Sequence, residues 1–249
     1  MYKSISRAQI KLIRSLRLLK YRKRTHSFLV EGAKNVRALL NSSYRVSLLL
    51  VTPKFYDTLD AQHYSVVDTV IPTDRTTLNA LGTLSNNDAA LAVVLMPPHT
   101  HTAPLRATWG LVLDGIQDPG NMGTLLRIAD WFNLPALVCS IDTVDVYNPK
   151  VIQASMGSFI NLPVYYVHLP TWLRETTLPV WGASTRGLNM RDVQIPLPGL
   201  LVIGSEAHGI RPAINPYLQQ EVRIPRYGHA ESLNAAVAAG ILCNHWINF

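Results

Sequence analysis

The stretch Leu111–Phe132, LVLDGIQDPGNMGTLLRIADWF, limits the fold more than any other part of the chain. Leu111, Val112 and Leu113 form a short apolar run, and Pro119–Gly120 punctuates a loop. Apolar residues then return at helical spacing at Met122, Leu125, Leu126, Ala129 and Phe132. This order predicts a buried strand, a tight loop and a helix. Ligands of open α/β sheets bind beyond the carboxyl ends of the strands, so Asp114, Asn121 and Arg127 stand on an element suited to function. The same pattern also fits an ordinary connection in which Asn121 caps the helix and Arg127 faces solvent.

Similar apolar runs recur along the chain. Strands are expected at Phe28–Val30, Val46–Val51, Ser65–Val70 and Leu91–Leu95, with a helix over EGAKNVRALL. From Trp109 onward they are expected at 111–113, 136–138, 164–166, 180–181, 200–203 and 221–224, with helices over 122–132, 148–158 and about 233–246. The alternation predicts an α/β protein whose second part has a mostly parallel sheet. The domains expected are residues 1–96, a linker at 97–108 marked by Pro97, Pro98 and Pro104, and residues 109–249. A chain of 249 residues with 48% apolar content supports such cores.

The formal charge of +7 is unevenly placed. Nine Lys or Arg and no acidic residue fall between Met1 and Arg24, whereas the rest has 14 basic and 16 acidic residues. Ile5, Ala8, Leu12, Leu16 and Leu19 share one face of an expected amphipathic helix, followed by the run KYRKR. A concentrated basic patch suits a polyanion, and without a Trp or Phe anchor it suits nucleic acid better than a membrane. No apolar run has the length of a transmembrane helix or the form of a secretory signal, so a cytoplasmic location is expected. Cys139 and Cys243 form no disulfide scaffold or CxxC pair, and His99 with His101 lack a third ligand, so no metal site is expected.

The dinucleotide-binding, phosphate-loop and nucleophile-elbow signatures are missing from the glycine loops. Three polar loops instead follow separate apolar strands, at Asp118–Arg127, Gly204–Gly209 and Pro225–Asn234. Gly204, Gly209 and Gly228 permit close backbone approach to a flat heterocycle, with Leu201, Ile203, Ile210, Ile224 and Leu233 as an apolar surround. The same glycines also serve tight turns. Ser232 or Asn234 is a candidate cap for the last helix, and Glu206 is free to hold Arg127 or a substrate hydroxyl.

Asn121-x-Gly123-x-x-x-Arg127, LVIGSEAHGI and IPRYGHAESLNAAVAAGI resemble the three ordered motifs of the SpoU/TrmH family of RNA ribose 2′-O-methyltransferases, in the SPOUT superfamily. The basic start and FLVEGAKNV are similar to the small substrate-binding domain that often precedes the catalytic one. The resemblance implies a trefoil-knotted carboxy-terminal domain, a small L30e/L7Ae-like domain before it, S-adenosyl-L-methionine as cofactor and a homodimer. It implies structured RNA as substrate, with rRNA favoured over tRNA. Carried over by motif, Arg127, Asn121, Glu206, Ser232 and Asn234 are the candidate catalytic set. Thr185, Arg186, Gly187, Ile203, Gly204, Ser205, Gly209, Ile224, Pro225, Ser232 and Leu233 are the candidate cofactor-binding set. The chain departs from the family pattern at Gln153, Arg226 and His229.

Two other functions remain open on sequence grounds. A catalytically inactive RNA-binding or ribosome-assembly protein of this fold would fail to transfer methyl groups to unmodified RNA. An oxidoreductase would bind a nicotinamide cofactor and not S-adenosylmethionine.

Overall fold

A computed structural model describes residues 4–98, 109–194 and 198–247. His99, His101, Pro104 and Phe249 lie outside the described residues. The chain divides into two compact units, one of residues 1–99 with 145–160 and the other of residues 100–144 with 161–249.

The first unit is built on four strands, β1 (Ser27–Glu31), β2 (Val46–Val51), β3 (Val70–Pro72) and β4 (Ala90–Leu95), in the order β1-β4-β2-β3. β4 runs antiparallel to both of its neighbours, and β3 is a parallel edge strand. The strand expected over residues 65–70 is shifted. Val67 makes only an isolated bridge to Val46, and Asp68 turns out to an ion pair with Arg45 at 3.0 Å. Pro72, which has no N–H to donate, is tolerated at the edge. Leu29, Leu48, Leu50, Leu91 and Val93 form a core with Ile13 and Leu16. The helices of this part are α1 (Arg7–Ser15), α2 (Leu19–Thr25), α3 (Ala33–Leu40), α4 (Pro53–Tyr56) and α5 (Arg75–Leu81).

The single basic helix expected near the amino terminus is two helices. Ser6 and Gln9 form a capping box at the start of α1, and the chain breaks after Leu16. Arg22, in the second helix, holds the break. Its guanidinium donates to the carbonyls of Leu16 and Arg17, both at 2.9 Å, and pairs with Asp145 at 2.7 Å. Arg22 is therefore buried, and Ala8 and Leu19, expected on the apolar face, are exposed. Arg7, Lys11, Arg14, Arg17, Lys20, Lys23 and Arg24 remain exposed.

Asp145 begins a segment grouped apart from the rest of the chain after residue 108. Residues 145–160, expected in the second domain, pack with the first unit. The reason lies in side chains that have no partner near them in sequence. Tyr147 stacks at 4.3 Å on Phe28, Phe159 meets Phe28 edge-on, and Asn35 donates to Gln153 at 3.2 Å from α3 to α7 (Pro149–Ser155). Gln153, one of the departures from the family pattern, thus has a structural partner.

The second unit holds six parallel strands, β5 (Gly110–Asp114), β6 (Leu137–Ser140), β7 (Val164–Val167), β8 (Val180–Asn189), β9 (Leu200–Gly204) and β10 (Gln220–Arg223). Their order is β10-β8-β9-β5-β6-β7, the mostly parallel sheet that the sequence predicts. The helices here are α6 (Pro119–Trp131), α8 (Leu169–Glu175) and α9 (Ala235–Ile247). β5 and β9 are buried along their whole length, as continuous apolar runs in a covered parallel sheet require. β8 is much longer than the two residues expected. Its ladder with β10 pairs Gly182 with Glu221 and then Leu188 with Val222, so the residues between them stand off the ladder. Cys139 and Cys243 are buried free thiols, and burial pushes Cys243 up to about 12. No described helix is long and apolar enough to cross a membrane.

Candidate active site

Because β5, β9, β8 and β10 are parallel neighbours, the loops that leave them open at one edge of the sheet. The first loop enters α6. Asp118, not Asn121, caps this helix, accepting from the Asn121 N–H at 2.8 Å, with Pro119 in the first turn. That leaves the Asn121 side-chain amide free to work elsewhere. Its Nδ2 donates to Glu206 Oε1, and its Oδ1 accepts from Asn234 Nδ2 at 2.8 Å.

Each partner is itself held. Asn234 is the cap of α9, its Oδ1 accepting from the Ala236 and Val237 N–H groups at 3.0 and 3.2 Å. Glu206 lies in a loop closed by reciprocal backbone bonds between Ser205 and Gly209 of 3.1 and 2.8 Å. Gly209 has φ +66°, and a Cβ on Gly204 would lie 2.0 Å from the Gly209 carbonyl carbon, so this loop requires both glycines. A continuous polar chain therefore runs from α9 through Asn234 and Asn121 to the Glu206 carboxylate. It joins three segments separated by 85 and 113 residues in sequence.

The other motif residues are placed differently. Arg127 is exposed on α6, on the side shared with Thr124 and Trp131, and stands outside this polar chain. Ser232 and Leu233 are exposed in the loop before Asn234. Thr185 and Arg186 are exposed where β8 leaves its ladder. Gly187 has a packing reason to be glycine, since a Cβ there would lie 2.3 Å from the Glu221 carbonyl carbon. Ile203 is buried at the end of β9, Gly204 and Ser205 follow it, and Ile224 and Pro225 continue from β10 half-buried. Cβ atoms added at Gly209 and Gly228 would meet nothing within 4 Å, so these backbones border open space. Open space at glycine backbones beside apolar strand ends suits the flat ring of a nucleoside cofactor. Among the described residues no group of three His, Cys, Asp or Glu stands together as a metal would need.

Beside this chain lies a cluster in which the sequence singles out Asp114 but not its partners Arg211 and Asp142. Arg211 follows the Glu206 loop and clamps it to the ends of β5 and β6. Its backbone N–H and Nε reach the two Asp114 oxygens at 2.8 and 2.7 Å, Nη2 also donates to Asp114, and Nη1 reaches Asp142 at 3.0 Å. The hydrogen bonds to Asp114 raise Arg211 above its ordinary value, although burial works against the charge. Burial acts to raise Asp142, but bonds from Ser140, its own N–H and Arg211 outweigh it and hold the carboxyl below the usual aspartate value. An Asp closing the apolar run Leu111–Leu113 was the available signal, because a buried carboxylate needs a cation.

The fold and the converging loops define an α/β protein whose polar loops meet at the carboxyl edge of a parallel sheet. Residues 109–244 match the SpoU rRNA Methylase family, and residues 7–92 match the MRM3-like substrate binding domain. The chain belongs to the SpoU rRNA methylase family. It is 30% identical over 248 residues, 97% of each chain, to the 23S rRNA (guanosine(2553)-2′-O)-methyltransferase RlmP of Bacillus subtilis. Among solved structures it is similar to the SpoU methyltransferase AviRb of Streptomyces viridochromogenes in complex with AdoMet, with TM-score 0.84, 26% identity and 98% of each chain covered. It is also similar to a candidate TrmH-family RNA methyltransferase of Porphyromonas gingivalis, with TM-score 0.86, 33% identity and 98% of each chain covered.

Proposed function

We propose that this protein is an RNA ribose 2′-O-methyltransferase that uses S-adenosylmethionine and acts on rRNA. The observation that carries the reading is the Asn234–Asn121–Glu206 chain at the carboxyl edge of the sheet, in a chain of this family. When bound, the cofactor supplies a methyl group already activated by a positive sulfur. The protein's work is then to align a ribose hydroxyl with that carbon and to assist a poor nucleophile.

In this reading the backbone of Ile203–Ser205 and Ile224–Pro225, with Gly209 and Leu233, holds the nucleoside, and residues 185–187 close its side. Asn121 and Asn234 fix the Glu206 carboxylate, and Ser232 binds substrate beside them. Arg127 acts through its charge, binding the neighbouring phosphate and stabilising the developing alkoxide. The hydroxyl proton goes to that phosphate or to Glu206, whose remaining lone pairs can accept it.

A homodimer belongs to the same reading. Trp131 on α6 is 84% exposed, and Val237 and Ile241 on α9 are exposed beside the close approach of Ile128 to Gly240. Apolar residues on both sides of one helix pair suit a second copy of the chain, and Arg127 then works at its seam. A knotted chain path is part of the same reading.

The test is methyl transfer from labelled S-adenosylmethionine to total RNA from cells that lack the protein, followed by mapping of the modified ribose. A single 2′-O-methylated rRNA position is expected. Binding of rRNA without transfer under any substrate state would leave an RNA-binding protein of the same fold.

A further inference from the structure

The loop that delivers Asn234 also carries Tyr227, whose side chain is 83% exposed. An isolated exposed aromatic is unremarkable, but this one is tethered. Arg191 Nη1 donates to the phenol oxygen at 2.9 Å, and the guanidinium carbon stands 6.0 Å from the ring centroid. Arg191 sits in the single 3-10 turn after β8, braced by Asn189, whose side chain accepts from the Arg191 N–H at 3.1 Å. Arg226 braces the loop from the other side of Tyr227 by donating to the Ala230 carbonyl at 3.4 Å. The hydroxyl end of the ring is held while the rest of it is left in solvent.

The surroundings choose the ligand. A protein partner would want apolar side chains around an aromatic anchor, but the residues flanking Tyr227 are Arg226, Gly228, His229, Ala230 and Glu231, and the exposed Leu233 lies six positions on. A nucleic-acid base offers a π-face to the ring, and the phosphate beside it offers charge to Arg191 and Arg226. Proteins that read RNA sequence bind unpaired bases in this way.

Resting on the methyltransferase reading above, we propose that Tyr227 is a stacking platform for one unpaired base of the RNA substrate, with Arg191 and Arg226 holding the adjoining phosphate. The platform sets which RNA is accepted.

Steady-state methyl transfer and direct RNA binding by fluorescence anisotropy, both with the full chain and an rRNA transcript, test this. Tyr227→Ala should raise KM for RNA and weaken binding by about 5- to 100-fold, the equivalent of about 1–3 kcal/mol of stacking at 1.4 kcal/mol per tenfold. The kcat at saturating RNA and the dissociation constant for S-adenosylmethionine should not change. Tyr227→Trp, which keeps a ring, should restore most of the loss. Unchanged RNA binding in Tyr227→Ala overturns the proposal, as does an RNA defect that tracks a change in sedimentation, which would make the ring an anchor for a second copy. Wild-type protein that binds RNA but never transfers methyl would defeat the enzyme reading alone, since the binding comparison still decides the platform.

Discussion

The Asp114 carboxylate has no exposure to solvent, whereas the Arg211 side chain opposite it is 41% exposed, so the two respond unequally to substitution. Arg211→Ala strands a buried anion and frees the end of the Glu206 loop. We expect a loss of about 2–4 kcal/mol in urea unfolding, the lower part of what breaking a buried pair costs, because water can reach the vacated side. Asp142→Asn should cost little, since that carboxylate is half-exposed. Its acid dependence has a fixed sign. Asp142 is held below 3.8 when folded, so its stabilisation is complete above that value and lost as pH falls through the folded value. The stability gap between wild type and Asp142→Asn should therefore close on acidification. Arg127 makes the opposite kind of residue, exposed and outside the polar chain. Arg127→Ala should leave folding and S-adenosylmethionine binding intact and lower kcat by about 100- to 1,000-fold, the usual effect of removing one charge-stabilising donor. Nearly wild-type turnover at saturating RNA and cofactor would refute its role.

At the scale of elements, α1 and α2 divide their basic residues between two tasks. Arg22 is a structural cation, whereas Lys20, Lys23 and Arg24 face solvent. Arg22→Ala should destabilise the protein by about 3 kcal/mol through the unpaired Asp145. The combined change of Lys20, Lys23 and Arg24 to Ala should leave the melting curve in place and weaken RNA binding. It should also reduce the salt dependence of binding by about 0.7–0.9 logarithmic units for each phosphate no longer neutralised. An equal loss of S-adenosylmethionine affinity would count against that division. Arg22 also marks how far the sequence can be read. Strands β5 and β9 and helix α6 were legible because their apolar spacing is local. Asn121, Glu206 and Asn234 were legible because motifs name them. The burial of Arg22 beside the helix break was not, because its partner is an aspartate 123 residues away, and the Arg211 clamp spans 97. The same holds for residues 145–160, whose apolar pattern fits either unit until Tyr147 finds Phe28.

At the scale of the molecule, the exposed faces of α6 and α9 set the expected assembly. Ile128 and Gly240 bring the two helices close, and Trp131, Val237 and Ile241 flank that approach without being covered by it. A tryptophan left 84% in water on one helix of a packed pair has the character of an interface anchor, where truncation commonly costs about 2 kcal/mol or more. A charge at that position adds desolvation to lost packing. Trp131→Glu should thus weaken self-association by at least about 30-fold, seen by sedimentation velocity as a shift toward monomer at micromolar concentration. The polar chain through Asn121 is made within one protomer, so the monomer should keep its fold by circular dichroism. Its turnover should fall with the dimer population, because Arg127 shares the exposed side of α6 with Trp131. A Trp131→Glu protein that sediments like wild type would remove this face from the assembly, and a monomer with full turnover would detach Arg127 from the seam.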